Sequence, residues 1–271
     1  MAGTVGDDDV TAGGDSAPPA VTVSVVDAPQ VNRRIPFSAM FNFRDVGGYP
    51  GHDGRTVRWG RLYRSDSLHR VDETDRAAFA ALGVRTVIDL RRPSEVARDG
   101  RVPAYDGLAY RNIHPEHRSW AEQMYDPETS LAHFLVERYV ELATTGAAGL
   151  GEAVGLIADA DNAPAVVHCV AGKDRTGIVC ALTLSVLGVS DADIAADYAL
   201  SSESSARFSA WLAASRPEAE DPPAPFLSSP AEAIGLFLDA LRDRHGSIEG
   251  YLRHAGMTDA QFAALRAHLL A

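Results

Sequence analysis

Cys169 and Arg175 are the two side chains in this sequence best suited to do chemistry together. Five residues separate them: Val170, Ala171, Gly172, Lys173 and Asp174. A cysteine thiolate is a nucleophile, and a guanidinium is a planar fork that grips two oxygens of a phosphate where a lysine supplies only a point charge. A short loop that runs into a helix N-terminus points its backbone N–H groups into one concavity, and the helix dipole makes that concavity positive. A tetrahedral dianion fits there, and the same field favours the thiolate. Cys169 is then placed to attack phosphorus in line. The amides of Val170 to Arg175, together with the Arg175 side chain, stabilise the equatorial oxygens in the transition state.

Such a loop needs a strand before it and a helix after it. Ala165, Val166 and Val167 form an apolar run that ends at His168, which reads as a buried strand. After Thr176 and Gly177 come Ile178, Val179, Ala181, Leu182, Leu184, Val186 and Leu187, an apolar pattern at helical spacing. Thr176 can donate its hydroxyl to the cysteine sulfur. His168 faces back from the nucleophile and is expected to orient the loop through hydrogen bonds.

The loop matches the Cys-x5-Arg loop of cysteine-dependent phosphatases. Its wording from Gly172 to Gly177, Gly-Lys-Asp-Arg-Thr-Gly, resembles that of the bacterial tyrosine and phosphoinositide phosphatases of the mycobacterial protein tyrosine phosphatase B type. Other stretches carry the same resemblance: Asn42 to Tyr49 (Asn-Phe-Arg-Asp-Val-Gly-Gly-Tyr), Tyr63 to Asp66, the Asp89-Leu90-Arg91 run, and Asp197 to Ser201. The resemblance implies a protein-tyrosine phosphatase that works through a phosphocysteine intermediate without a metal or other cofactor. Phosphoserine, phosphothreonine and phosphoinositides are further substrate classes it implies. It also implies a site aspartate in the Asp89 run, supporting roles for Asn42 and Asp45, and a mobile helical lid after the catalytic helix, for which residues 201–230 are the candidate.

The reaction needs an acid for the leaving oxygen and a base for the incoming water. No Trp-Pro-Asp run is present to supply one from a separate loop. Asp174, inside the loop, is the first candidate and Asp89, at the end of a neighbouring strand, the second. Other residues keep two readings each. Arg64 either reaches substrate or pairs with a carboxylate. Asp45 either caps a turn or supports the phosphate loop. Asp89 is either a site carboxylate or a strand-end cap. Lys173 is the only lysine in the chain and adds a cation at the floor or rim of the pocket, which suits a multiply phosphorylated ring.

Composition narrows the function classes. The chain has 271 residues, 46% hydrophobic and 23% charged, enough for one large domain with a sizeable core. A net charge of −12 argues against a broad nucleic-acid surface, so any anion site must be local. Two cysteines are too few for a disulfide framework or a cysteine metal site, and they suit a reducing, cytoplasmic compartment. Cys180 reads as a small buried hydrophobe in the helix after the loop. No run approaches ~20 apolar residues, so no membrane span is expected. Residues 1–20 read as a disordered leader rather than a signal peptide, and residues 21–271 as the phosphatase domain. The oligomeric state is not legible.

The remaining pattern alternates strand and helix, implying an α/β fold with a mainly parallel sheet between helices and a C-terminal helical extension. Strands are expected over Val21–Val31, Val84–Leu90 and Leu108–Ile113, with a strand pair or one bent strand over Thr56–Ser65. Helices are expected over Asp72–Leu82, Ser130–Leu142, Gly149–Ala158, Asp191–Leu200 and Ser202–Ser215, then Pro230–His245, Ser247–His254 and Thr258–Leu270. Asp72, Ser190 or Asp191, and a Thr258/Gln261 capping box supply starts, and Gly83, Gly246 and Gly256 supply stops. Two other classes also use a loop of this kind: a phosphate-binding module without turnover, and a sulfurtransferase. The first keeps no need for both Cys169 and Arg175, and the second lacks the Lys-Asp-Arg-Thr-Gly continuation.

Overall fold

The computed structural model describes residues 1, 3, 32–118, 125–126, 128–215 and 227–271. The strand expected over Val21–Val31, the leader apart from residues 1 and 3, and residues 216–226 of the lid candidate lie outside them. Arg33–Ala271 forms one compact unit.

Its centre is a sheet of five strands: β1 (Arg44–Asp45), β2 (Leu62–Ser65), β3 (Thr86–Asp89), β4 (Ala109–Asn112) and β5 (Ala165–His168). Their order is β1-β2-β5-β3-β4. β1 runs antiparallel to β2, and every other pairing is parallel. β5 is the central strand, flanked by β2 (Ser65 opposite His168) and by β3 (Asp89 opposite His168). All residues of β2, β3 and β5 are buried, as expected where both faces of a parallel sheet are covered.

Side-chain alternation sorts these strands into two cores. Leu62, Ile88, Ala165 and Val167 face the larger one, shared with α3 (Leu131–Thr145), α4 (Ala147–Ala158), α5 (Asp174–Val186), α6 (Asp191–Ala199), α8 (Ala231–His245), α9 (Ile248–His254) and α10 (Asp259–Leu269). Tyr63, Val87 and Val166 face the smaller one, with Phe37, Phe43 and Val102, and with Phe79 from α1 (Glu73–Ala81). The same parity places Cys169 on the larger-core side, and Asp89 and His168 on the other.

The capping residues explain most boundaries. Asp72 accepts from the Asp75 amide, Ser190 from Asp193, Ser247 from Gly250, and Thr258 forms a capping box with Gln261. Gly83, past the end of α1, sits at φ 61°, where only glycine is unstrained. α5 is buried on nearly every side, from Arg175 to Leu184, which is why its sequence is apolar all round rather than striped. Helix α2 (Pro93–Asp99) was not expected from the sequence. Its signals are Pro93 in the first turn and Glu95, whose carboxylate accepts the Arg92 amide at 2.7 Å. Of the stretch Thr56–Ser65, read as a strand pair or one bent strand, Leu62–Ser65 is a strand, while Thr56 and Val57 make isolated bridges to Pro50 and Leu270.

Candidate active site

The segment after β5 curls into a cup, and its carbonyls define the outside. The Cys169 carbonyl accepts from Ser67 Oγ at 3.0 Å and the Val170 carbonyl from the Ser67 amide at 3.0 Å. The Ala171 carbonyl accepts from Asn42 Nδ2 at 3.0 Å. The Gly172 carbonyl accepts from Asn42 Nδ2 at 3.1 Å and from Arg64 Nη2 at 2.8 Å. The Lys173 carbonyl takes the Gly177 amide at 2.8 Å, beginning α5. Five successive carbonyls are thus held outward. A planar trans peptide sets each N–H opposite the carbonyl of the residue before it, so the amides that follow turn inward. Among the described residues, the amides of Val170, Ala171, Gly172, Asp174 and Arg175 make no hydrogen bond. The result is a row of inward donors at the start of a 13-residue helix.

Gly172 makes the curl possible. Its φ is +66°, and a Cβ there would lie 2.4 Å from the Ser65 carbonyl oxygen. Gly177 serves a different purpose: a Cβ would lie 2.9 Å from the Tyr198 ring, so its absence lets α6 close against the first turn of α5.

Arg175 completes the cup. Glu95, on α2, accepts from Nη1 at 2.7 Å and from Nη2 at 3.2 Å, and the Leu90 carbonyl takes the other Nη1 hydrogen at 3.2 Å. A guanidinium has five N–H donors. The two left over, on Nε and Nη2, form the side-on edge of the fork and have no partner among the described residues. That pair matches two oxygens of a phosphate. Although burial alone would raise the Glu95 carboxyl, Arg175 beside it holds it below its ordinary range. Glu95 was not anticipated as a site residue; it carries two jobs, capping α2 and aiming Arg175.

Behind the cup lies a buried charge cluster. Asp197, on α6, accepts from Arg44 Nε at 3.0 Å and pairs with Arg64 Nη1. Burial would raise the Asp197 carboxyl, but Arg44 and Arg64 outweigh it and hold it at about 2. One carboxylate serves two guanidinium groups, leaving a surplus positive charge under the loop. Arg64 is 0% exposed and takes its carboxylate-pairing reading rather than the substrate-contact one: Asp197 and the loop carbonyls fix it behind the loop. Arg44 is likewise buried and also holds Asn42 Oδ1. Asp45 takes its turn-capping reading: its carboxylate accepts the Gly47 and Gly60 amides, each at 2.7 Å, and it makes no bond to the loop among the described residues.

Asp89 lies on the sheet face opposite Cys169. Arg91 Nη2 donates to it at 2.7 Å, Tyr110 Oη at 2.8 Å and the Arg91 amide at 3.0 Å. It is 0% exposed. Burial would raise its carboxyl, but His168 and Arg91 hold it at about 2. An ionised, saturated carboxylate on the far face is a scaffold, not an acid for a leaving group. His168 is buried too, with Nδ1 3.2 Å from the Cys169 carbonyl and Nε2 3.5 Å from Asp89 Oδ2. Burial, the largest influence, lowers its pKa, and Asp89 opposes that shift.

Asp174 is the carboxylate at the cup. Tyr139 Oη donates to its Oδ1 at 2.5 Å, and its side chain keeps 18% exposure. Lys173 is turned into the wall rather than standing at an open rim, with Nζ donating to the Ser228 carbonyl at 2.9 Å and lying 3.5 Å from Asp174 Oδ1. The expected bond from Thr176 to the cysteine sulfur is not made: Thr176 Oγ1 is buried without any hydrogen-bond partner, while the carbonyl one turn back, that of Gly172, is already taken by Asn42 and Arg64. Cys180 is fully buried, and burial pushes its thiol up to about 11, consistent with a packing role. Among the described residues, no three His, Cys, Asp or Glu side chains converge as metal ligands.

A sequence model described as the tyrosine phosphatase family matches residues 35–271, which include every loop, strand and cap described above. The chain belongs to the tyrosine phosphatase family. The relatives of this phosphatase align with three quarters or more of its length. The triple specificity protein phosphatase PtpB of Mycobacterium tuberculosis is 30% identical over 274 residues, 85% of this chain and 96% of that one. A Cupriavidus necator protein is 31% identical over 250 residues, 87% and 88% of the two chains. A tyrosine-protein phosphatase of Nostoc commune is 30% identical over 226 residues, 76% and 73%. In this phosphatase no helix among the described residues is long and apolar enough to cross a membrane.

Proposed function

We propose that the protein hydrolyses phosphotyrosine through a phosphocysteine intermediate. The observation that carries the reading is the reversed polarity of the Cys169–Arg175 loop, with its carbonyls secured outward by Ser67, Asn42 and Arg64 and the amides of Val170, Ala171, Gly172, Asp174 and Arg175 without a partner among the described residues. The Cys169 thiolate attacks phosphorus; the S–P bond forms as the bond to the tyrosine oxygen breaks. Asp174 gives its proton to that oxygen. Water then attacks phosphorus, Asp174 takes a proton from it, and the thiolate leaves. Throughout, the loop amides and the free Nε–Nη2 edge of Arg175 hold the three equatorial oxygens. The unpaired Thr176 hydroxyl is a buried donor available to the sulfur while it is anionic.

Cys169 is 3% exposed and Lys173 5%. A phosphotyrosine ring needs more room than that. The cover comes from α7 (Ser205–Ser215), which has no buried residue of its own, and from Leu227 to Ser229. A cavity of about 20 Å³ lies there between Asp66, Ala171, Lys173, Phe208 and Leu227. Ser205 Oγ donates to the Leu227 carbonyl, and the Ser229 amide donates to Ser202 Oγ at 2.8 Å. This cover is read as a lid that must lift for substrate to enter.

Phosphoserine, phosphothreonine and phosphoinositides are proposed as further substrates, the last on Lys173, whose ammonium reaches a second phosphate once the lid releases Ser228. Turnover of a phosphotyrosine peptide, with ³²P trapped on wild-type protein after rapid quench and absent from Cys169→Ser, tests the mechanism. Binding without turnover would leave a phosphate-binding module. Sulfur transfer from thiosulfate to cyanide would make it a sulfurtransferase.

A further inference from the structure

Two buried tyrosines from different helices meet at Asp174, the carboxylate carried by the Cys169–Arg175 loop itself. Tyr139, on α3, is 0% exposed and Tyr198, on α6, is 1% exposed. Their hydroxyls lie 2.5 Å apart, and Tyr139 Oη lies 2.5 Å from Asp174 Oδ1. Each hydroxyl has one hydrogen. An ionised carboxylate only accepts, so the hydrogen of Tyr139 goes to Asp174. Tyr198 must then donate to Tyr139. The order of donation is therefore fixed: Tyr198 to Tyr139 to Asp174 Oδ1.

The second carboxyl oxygen is treated differently. No described group bonds Asp174 Oδ2, and the side chain keeps 18% exposure. One oxygen is anchored in the protein interior and the other is left to exchange a proton. Burial raises both tyrosine pKa values above their ordinary range, Tyr139 strongly so, which favours hydroxyls that keep their hydrogens. Packing enforces the arrangement: the rings meet edge to face at 6.3 Å between centroids, and Tyr198 occupies the space that Gly177 leaves open in the loop helix.

We propose that Tyr139, backed by Tyr198, is a positioning residue for acid catalysis: it locks Oδ1 of Asp174 so that Oδ2 carries the proton to the leaving oxygen. This rests on the reading of Asp174 as the acid. A carboxyl free to rotate about its Cβ–Cγ bond presents the wrong oxygen part of the time and strays from the reacting atoms, and small misplacements are costly in rate. Holding one oxygen from a rigid helix removes that freedom. The contact was invisible in the sequence because 35 residues separate Tyr139 from Asp174 and 59 separate it from Tyr198.

The test is a leaving-group series of aryl phosphates, from dinitrophenyl to phenyl, run on Tyr139→Phe, Asp174→Asn and the double variant. Tyr139→Phe should lower kcat on phenyl phosphate about 10-fold or more and leave dinitrophenyl phosphate nearly unchanged, because a good leaving group needs no proton. In the Asp174→Asn background the same change should add nothing. A loss uniform across the series, or one additive with Asp174→Asn, overturns the proposal while leaving the acid assignment intact. If Asp174→Asn itself does not steepen the leaving-group dependence, the acid assignment fails and this proposal fails with it. Tyr139→Phe leaves the Tyr198 hydroxyl without an acceptor, so Tyr139→Phe/Tyr198→Phe, which removes both, serves as the variant of record if the single change folds poorly. It should show the same leaving-group signature, and its absence there also counts against the proposal.

Discussion

Glu95 holds Arg175 by two hydrogen bonds, 2.7 Å to Nη1 and 3.2 Å to Nη2. The helix that carries Glu95 begins at the end of β3, so α2 sets the direction of a side chain 80 residues further along the chain. Only the Nε–Nη2 edge of the guanidinium is left to bind substrate, and it is already oriented. Glu95→Gln should keep a hydrogen-bond acceptor but lose the charge and one of the two fixed contacts. The expected result is a fall in kcat/KM of about 10²-fold, from misplacement rather than loss of Arg175. Steady-state kinetics, together with an unchanged melting temperature, checks it.

Asp197 makes stability depend on acid. Its carboxyl is held at about 2 in the folded protein, down from an ordinary 3.8. A depressed folded-state value means that the contribution is complete above about pH 4 and is lost as pH falls through about 2. Asp89, also at about 2, acts in the same direction. Urea unfolding between pH 7 and pH 2 should show stability dropping across that window. Asp197→Asn should flatten part of the drop. It should also cost about 3–5 kcal/mol at pH 7, because Arg44 and Arg64 then face each other without a counter-charge.

Gly172→Ala should abolish turnover while leaving the rest of the fold recognisable. The added methyl group meets the Ser65 carbonyl at 2.4 Å, in a backbone conformation that disfavours any side chain. The loop must open to accept it, which turns the amides away from the cup. Loss of vanadate binding by calorimetry, alongside near-native circular dichroism, is the expected pair of results.

Lys173→Ala separates substrate classes. The ammonium is bound to the Ser228 carbonyl in the covered state, so the change should loosen the cover and also remove a cation from the wall. Phosphoinositide turnover should fall about 10-fold or more while phosphotyrosine peptide turnover is spared or rises. Equal losses on both substrates would remove the case for a second phosphate contact.

What the sequence revealed follows the range of the forces involved. The strand, loop and helix around Cys169 are contiguous, so periodicity and one glycine pattern were enough to find them. Asn42 came from the wording of its own run, and the structure places it against the loop carbonyls. The rest depends on pairings across long stretches of chain. Arg64 meets Asp197 133 residues away, and Arg44 meets it across 153; no local pattern marks a buried arginine that needs a distant carboxylate. Asp89 misled for a subtler reason. It does end a strand beside the loop, as open α/β sheets lead one to look for, but one step of side-chain alternation puts it on the far face. Glu95 carried a visible helix-start signal whose second use appeared only when α2 met α5.

The position of β5 has a consequence for how the enzyme comes into being. β2 and β3 are made about 80 to 100 residues before it, yet neither pairs with the other; β5 fills the slot between them. A growing chain that has not reached Ala165 holds two strands with a gap in the middle of its sheet. Long-range parallel pairing of this kind is slow to form. Phosphatase competence therefore arrives late in biosynthesis, and a chain cut short before β5 is not a weaker enzyme but one without its central strand and without Cys169.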